Sequence, residues 1–136
     1  MEKKVILVTG SNGLMGNALR KQSERFPQYS YYFATRTDAN LTKEDEVKGL
    51  LYGVKPHYII HTAAKVGGIG GNMIGHGEYF YNNILMNAYI IEYATQVNVE
   101  KLIAFSSVCV FPNDIAILEE HAIHSGPPFE GNFAYA

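Results

Sequence analysis

The stretch Val5-Ile6-Leu7-Val8-Thr9-Gly10-Ser11-Asn12-Gly13-Leu14-Met15-Gly16 decides the fold of this chain. Its first five residues form an unbroken, largely β-branched apolar run, which is typical of a strand buried on both faces of a parallel sheet. The three glycines that follow are spaced Gly-x-x-Gly-x-x-Gly, and a helical pattern starts at about Leu14 and continues to about Arg25. A glycine loop between a buried strand and a helix brings backbone amides and a helix N-terminus close to a pyrophosphate.

This placement predicts a dinucleotide site, and the alternative is a tight strand–helix turn that binds nothing. The first glycine would permit the turn, the second the close approach of a phosphate, and the third close packing of the helix on the sheet. The residues assigned to the cofactor here are Gly10, Ser11, Asn12, Gly13, Leu14, Met15 and Gly16.

Strand-length apolar runs and helix-length segments alternate along the rest of the chain. We predict strands at 31–35, 58–61 and 101–106, a weak additional strand at 38–41, and helices from about Thr42 to Gly53 and from about 78 to 97. The glycine-rich segment 65–77 and residues 110–132 are predicted to be loops. The alternation predicts an α/β fold, a Rossmann-like doubly wound parallel sheet in three αβα layers. The long helix is apolar on several sides, so we expect the sheet on one side and a second subunit, forming a homodimer, on another.

Composition limits the classes of function. The 136 residues suit one domain (1–136), and a formal net charge of −2 argues against a nucleic-acid partner. The single cysteine excludes an internal disulfide, and without an apolar run of about 18 residues we expect no membrane span. We expect a cytoplasmic protein. The five histidines form no convincing metal site, since His121 and His124 lie three apart in a proline-flanked loop without a matching cysteine or carboxylate.

The residue after the second strand bears on cofactor choice. An acidic side chain there would favour NAD, whereas Arg36 can pair with the 2′-phosphate of NADP. We therefore predict NADP, with Asn40 and Leu41 also near the cofactor. Asp38 is expected either to form a salt bridge with Arg36 or to cap the following turn, and Arg36 could also be an ordinary solvated arginine.

Several short motifs together resemble the extended short-chain dehydrogenase/reductases. They are Thr9-Gly10-x-x-Gly13-x-x-Gly16, His61-x-Ala63-Ala64, Ser106-Ser107 and Tyr135. Two segments resemble the GDP-L-fucose synthase family more specifically: Ala63-Ala64-Lys65-Val66-Gly67-Gly68-Ile69, and Ser106-Ser107-Val108-Cys109-Val110-Phe111-Pro112. The resemblance spans the whole chain, although Phe111 stands where that family usually has tyrosine.

The resemblance implies an enzyme that epimerises C3 and C5 of GDP-4-keto-6-deoxy-D-mannose and then reduces its C4 ketone with NADPH. It implies that Ser107 binds the C4 oxygen, that Tyr135 stabilises and protonates it, and that Cys109 is an acid/base of the epimerisation. It also implies cofactor contacts from Ala63, Ala64, Lys65, Phe105, Ser106, Ser107, Val108 and Tyr135.

The resemblance also implies features beyond residue 136. The tyrosine belongs to a Tyr-x-x-x-Lys pattern whose lysine would fall three residues after Ala136, and the family's second acid/base, remaining strands and substrate-binding domain come later. We therefore expect a truncated cofactor domain that does not turn over substrate alone. Two other readings stay open: a different NAD(P)-dependent nucleotide-sugar epimerase or dehydratase, and a non-catalytic NADP-binding module.

Overall fold

A computed structural model describes residues 2–132 of the chain. Four parallel strands form one sheet, and the described residues also contain four α-helices. The strands are β1 (Val5–Thr9), β2 (Ser30–Phe33), β3 (Tyr58–His61) and β4 (Lys101–Ala104). The helices are α1 (Leu14–Ser23), α2 (Glu44–Val54), α3 (Gly68–Ile74) and α4 (His76–Gln96), and three short 3₁₀ turns follow at Val108–Val110, Glu120–Ala122 and Glu130–Asn132. The predicted parallel α/β fold is confirmed.

The strand order β2-β1-β3-β4 puts β1 near the centre of the sheet. The chain goes from β1 outward to β2 and then returns across β1 to β3, so the direction of winding reverses between β1 and β3. In open parallel sheets, ligands bind at such a reversal, beside the carboxyl ends of the strands. The glycine loop after β1 therefore lies where this topology favours a ligand.

The two faces of the sheet are covered by different helices. Leu7 and Ile59 point to the face on which α2 and α4 pack, and both are fully buried. On the opposite face, the Arg20 guanidinium of α1 lies 4.2 Å from the ring centre of Phe33. This arrangement gives the three expected layers. The core on the first face consists of Leu7, Ala34, Ala39, Val47, Leu50, Leu51, Ile59, Ile90, Tyr93 and Ala94.

The described residues form two compact units. The first comprises residues 2–64 and 84–105 and contains the sheet, α1, α2 and most of α4. The second comprises residues 65–83 and 106–132 and contains α3, the start of α4 and the 3₁₀ turns.

The structure corrects two predictions. No strand forms at 38–41, because Asp38 closes a turn there by accepting the Thr35 amide hydrogen at 2.7 Å. The segment 65–77 is not a continuous loop, because Gly68–Ile74 is helical and α4 already begins at His76. The long helix and strands β3 and β4 otherwise lie within about two residues of their predicted bounds.

Candidate functional site

The glycine loop is held tightly against the segment that follows β3. Gly10 has φ +67°, which favours glycine, and a Cβ atom there would lie 2.7 Å from the Ala63 backbone nitrogen. The Thr62 hydroxyl donates to the Thr9 carbonyl oxygen at 2.7 Å. The loop can therefore approach its neighbour this closely only because residue 10 has no side chain.

The third glycine allows α1 to start directly against the loop. A Cβ atom at Gly16 would lie 2.4 Å from the Ser11 Cα atom, so only glycine fits there without a shift of the backbone. The Asn17 side chain then fixes the loop from the helix side, because its Nδ2 donates to the carbonyl oxygens of Asn12 and Gly13 at 3.0 Å each. Sequence reasoning missed Asn17, whose position four residues after Gly13 was the available signal.

The N-terminus of α1 fits a phosphate group. Gly13 is the N-cap and offers no capping side chain, and the first turn contains no acidic residue. Helix geometry leaves the first amides without partners inside the helix, and the helix dipole favours an anion beside them. A Cβ atom at Gly13 would meet only the Gly10 carbonyl oxygen, at 3.3 Å. Space therefore remains beside these amides, and the neighbouring Leu14 side chain is 88% exposed.

Ser11 is held in the loop through its amide, and its cofactor contact stays a prediction. Its amide donates to the Ala34 carbonyl oxygen at 3.3 Å, and its side chain is fully buried. Its hydroxyl oxygen has no partner within residues 2–132. The Gly13 amide is also engaged inside the loop, where it donates to the Gly10 carbonyl oxygen at 3.0 Å.

Arg36 lies exposed in the turn after β2. Asp38 does not pair with it but caps the turn: one carboxylate oxygen accepts from the Thr35 amide and hydroxyl at 2.7 Å each, and the other accepts from the Tyr32 hydroxyl at 3.2 Å. These bonds, that of the Thr35 hydroxyl above all, lower the pKa of Asp38. Within residues 2–132 no ion pair involves Arg36. Its guanidinium is therefore available to an anionic ligand.

Asn40 and Leu41 serve local structure. The Asn40 side-chain oxygen accepts from the Thr42 hydroxyl at 2.9 Å. The Asn40 backbone amide donates to the Glu46 carboxylate at 2.6 Å. The Asn40 amide is the main reason that the pKa of Glu46 is lowered. Leu41 is partly buried and packs against the hydrophobic core. Cofactor contacts from these two residues stay predictions.

A buried polar pair lies where β1 and β3 end. Thr9 and His61 are register partners, and the Thr9 hydroxyl lies 2.6 Å from His61 Nδ1. Burial lowers the pKa of His61 to about 4, although the nearby Asn87 side chain opposes this shift. His61 is therefore neutral at physiological pH and ties β3 to the residue that precedes the glycine loop. The sequence showed His61 only as part of a motif.

In the second unit, Lys65 is held at both its main chain and its side chain. Its amide donates to Asn83 Oδ1 at 2.7 Å, and its carbonyl oxygen accepts from Asn83 Nδ2 at 3.0 Å. Its ammonium group pairs with the Glu78 carboxylate. Sequence reasoning did not single out Asn83 or Glu78, since neither belongs to the quoted motifs.

In the Ser-x-Cys segment after β4, Ser107 is the N-cap of the 3₁₀ turn Val108–Val110. The Ser107 hydroxyl oxygen accepts the Cys109 amide hydrogen at 3.2 Å, so the serine side chain caps the turn. The acceptor role leaves the hydroxyl hydrogen for a second partner. Cys109 is a free, half-buried thiol. Beside them, Ser106 is exposed, Val108 is 70% exposed, and Phe105, in the first unit, is 49% exposed.

Tyr135, Ala63 and Ala64 are the other residues that the sequence predicts for the site. Tyr135 lies outside the described residues. Ala63 and Ala64 follow β3, where Ala63 forms the backbone contact with Gly10.

Within residues 2–132, no group of three or more His, Cys, Asp or Glu side chains could hold a metal ion. In the same range no helix combines the length and the hydropathy that a membrane crossing requires.

Comparison with known proteins places this site in context. Residues 6–136 match the sequence profile of the NAD dependent epimerase/dehydratase family. A probable GDP-L-fucose synthase of Drosophila melanogaster is 35% identical over 98% of this chain and 42% of its own length. The GDP-L-fucose synthase of Sinorhizobium fredii is 35% identical over 100% and 43%. The crystal structure of a GDP-L-fucose synthetase from Naegleria fowleri bound to NADP matches with a TM-score of 0.89 and 34% identity, over 99% of this chain and 44% of that one. The chain thus spans less than half the length of these relatives.

Proposed function

Since the chain belongs to the NAD dependent epimerase/dehydratase family, we propose that it is the NADP-binding part of a GDP-L-fucose synthase. That enzyme would epimerise C3 and C5 of GDP-4-keto-6-deoxy-D-mannose and reduce its C4 ketone. The observation that carries the proposal is the glycine loop, in which Gly10 permits the turn, Gly13 leaves the start of α1 uncovered and Gly16 allows close helix packing. The GDP-L-fucose synthases that match the chain along almost its whole length support the choice of sugar nucleotide.

In this proposal the amides at the start of α1 bind the pyrophosphate of NADP, and Arg36 pairs with the 2′-phosphate. The helix dipole and the absence of acidic side chains in the first turn favour the pyrophosphate there. A guanidinium suits the 2′-phosphate because its planar fork can donate two hydrogen bonds to one anion. NADPH would supply the hydride for the ketone, and the family resemblance implies a further cofactor contact from Lys65.

Ser107 and Cys109 would act on the sugar. The Ser107 hydroxyl oxygen is already engaged as an acceptor by the Cys109 amide, which orients its hydrogen for donation to the C4 oxygen. Removal of a proton beside the C4 ketone gives an enolate, and a hydrogen bond to that oxygen stabilises the developing charge. Cys109 would exchange a proton with carbon during epimerisation. Tyr135 completes the proposed set as the proton donor for the reduced oxygen.

We also propose a homodimer formed through α4. Its buried side faces the core with Met86, Ile90 and Tyr93, whereas Ile84 and Ile91 are 50% and 55% exposed. These two isoleucines lie seven residues apart and hence on one face of the helix. Covering that face with a second copy would remove both from water.

The test is a pair of measurements on this chain and on one extended through the lysine of the Tyr-x-x-x-Lys pattern. NADPH binding is followed by fluorescence titration, and NADPH oxidation is followed with GDP-4-keto-6-deoxy-D-mannose as substrate. We expect both chains to bind NADPH and only the extended chain to oxidise it. The control is Ser107→Ala in the extended chain, which should lose turnover because it removes the proposed hydrogen bond to the C4 oxygen. Binding without turnover in both would favour another sugar nucleotide or a non-catalytic module, and failure to bind NADPH would refute the proposal.

A further inference from the structure

Asn83 holds the main chain of Lys65 through both of its polar groups. The Lys65 amide donates to Asn83 Oδ1 at 2.7 Å, and Asn83 Nδ2 donates to the Lys65 carbonyl oxygen at 3.0 Å. One carboxamide thus satisfies the donor and the acceptor of a single residue, as a neighbouring strand would. The two bonds fix the orientation of the carboxamide, because the reverse orientation would set donor against donor and acceptor against acceptor.

The rest of the glycine-rich segment is fitted to the same part of α4. The Tyr79 ring occupies space that side chains at three glycines would fill: a Cβ atom at Gly67 would lie 2.1 Å from the Tyr79 hydroxyl oxygen, and one at Gly75 would lie 2.8 Å from the ring. At Gly71 the corresponding distance to the hydroxyl oxygen is 3.0 Å. The segment therefore packs against α4 at several points, and Asn83 fixes its first residue, Lys65.

The Lys65 ammonium is held differently from the main chain. It pairs with Glu78, whose side chain is 65% exposed, while the Lys65 side chain is 37% exposed. An ion pair this exposed contributes little free energy, so the ammonium can exchange a carboxylate for a phosphate at small cost. The two hydrogen bonds between Asn83 and the Lys65 main chain, here called the clasp, do not depend on that exchange. The clasp would keep the backbone of Lys65 in place while the ammonium changes partner.

We infer that Asn83 is a positioning residue, which sets Lys65 for an anionic group of the cofactor. This inference rests on the proposed function, in which Lys65 contacts NADP. Asn83 itself need not touch the ligand, since it acts through the backbone of Lys65. Preorganisation of this kind raises affinity because less conformational freedom is lost on binding.

The first test is limited proteolysis with trypsin in the absence of ligand. Trypsin cuts after Lys65, at the peptide bond whose carbonyl oxygen Asn83 clasps, and the exposed turn at Arg36 gives an internal reference cut. Asn83→Ala should raise the rate at Lys65 relative to Arg36 about tenfold, as expected for the loss of two hydrogen bonds. The matched control is Asn82→Ala, which removes a neighbouring asparagine whose Nδ2 donates within α4, to the Glu78 carbonyl oxygen.

The second test separates positioning from a merely structural role. NADPH dissociation constants are measured for the parent chain, Lys65→Ala, Asn83→Ala and the double variant. If Asn83 acts through Lys65, each single variant weakens binding, and the double variant binds no more weakly than Lys65→Ala. Additive effects, or faster cleavage with unchanged NADPH affinity, would overturn the inference. So would an unchanged rate of cleavage at Lys65.

A further variant guards against misfolding of Asn83→Ala. Asn83→Asp keeps the acceptor for the Lys65 amide but places a carboxylate oxygen against the Lys65 carbonyl, so it should also open the clasp. Circular dichroism checks that each variant retains its helices. A parent chain that does not bind NADPH would refute the proposed function itself. Failure of the parent chain to bind NADPH is distinguishable from failure of the Asn83 inference, because it appears without any substitution. It would refute the Asn83 inference as well.

Discussion

Replacing Gly16 by alanine should destabilise the chain, although alanine is the better helix former. An ideal Cβ atom at this position would lie 2.4 Å from the Ser11 Cα atom and 2.5 Å from the Gly10 carbonyl oxygen. Both contacts are with backbone, so no flexible side chain can move aside. The N-terminus of α1 and the glycine loop would have to separate by a substantial fraction of an ångström.

The size of the effect follows from two opposing terms. Alanine in place of glycine gains up to about 1 kcal/mol inside a helix. Overpacking against a well-packed neighbour costs about 1–3 kcal/mol, and contact with rigid backbone belongs at the upper end. We expect Gly16→Ala to lower the free energy of unfolding by about 1–2 kcal/mol. Gly49→Ala in α2 is the matched control, because nothing lies within 4 Å of its Cβ position. It should raise the free energy by about 0.5–1 kcal/mol.

The assay is urea unfolding followed by far-ultraviolet circular dichroism, with the slope checked for each variant. The two alanines should move the midpoint in opposite directions from that of the parent. NADPH titration adds a second readout, since Gly16→Ala displaces the loop and should weaken binding, whereas Gly49→Ala should not. The reasoning is refuted if Gly16→Ala is as stable as Gly49→Ala at an unchanged slope.

Three further predictions follow from the site and the core. Burial lowers the pKa of His61 to about 4, so between pH 6.5 and pH 4 the unfolded chain binds a proton at this residue and the native chain does not. The free energy of unfolding should therefore fall by roughly 3 kcal/mol as the pH drops from about 6.5 to 4. His61→Asn should remove this fall from the stability–pH profile. Tyr93→Phe should lower the urea midpoint, because the Tyr93 hydroxyl donates to Glu44 at 2.7 Å, and a double-mutant cycle of urea melts should show a smaller loss in a Glu44→Gln background. Arg36→Glu should weaken NADPH binding at least about tenfold while leaving NADH binding within about twofold; an equal loss for both cofactors in parallel titrations would contradict the 2′-phosphate assignment.

The central part of the fold could be predicted because its signals are local. The apolar run that ends at Thr9 and the glycines that follow it decide a strand, a turn and a helix within a dozen residues. The role of Asp38 was different: sequence alone left two partners open. Only the structure shows that the Thr35 amide and hydroxyl take the carboxylate. Short polar side chains close turns by such bonds, but the residue type does not reveal which bond forms.

The helix Gly68–Ile74 illustrates what a local pattern cannot supply. Its sequence, Gly-Ile-Gly-Gly-Asn-Met-Ile, has a poor intrinsic helix propensity, since each glycine costs up to about 1 kcal/mol relative to alanine. In the structure a Cβ atom at Gly67, Gly71 or Gly75 would lie 2.1, 3.0 or 2.8 Å from the nearest atom of the Tyr79 side chain. Gly71 lies inside the helix, whereas Gly67 and Gly75 are its caps. These three glycines permit the packing of Tyr79, and their spacing of four residues is the trace this leaves in the sequence. The clasp of Lys65 by Asn83 leaves no comparable trace, because it joins residues 18 apart through a side chain and a backbone. Contacts between a backbone and a distant carboxamide therefore need the fold before they can be identified, and in this chain one of them fixes the lysine for which the family resemblance implies a cofactor contact.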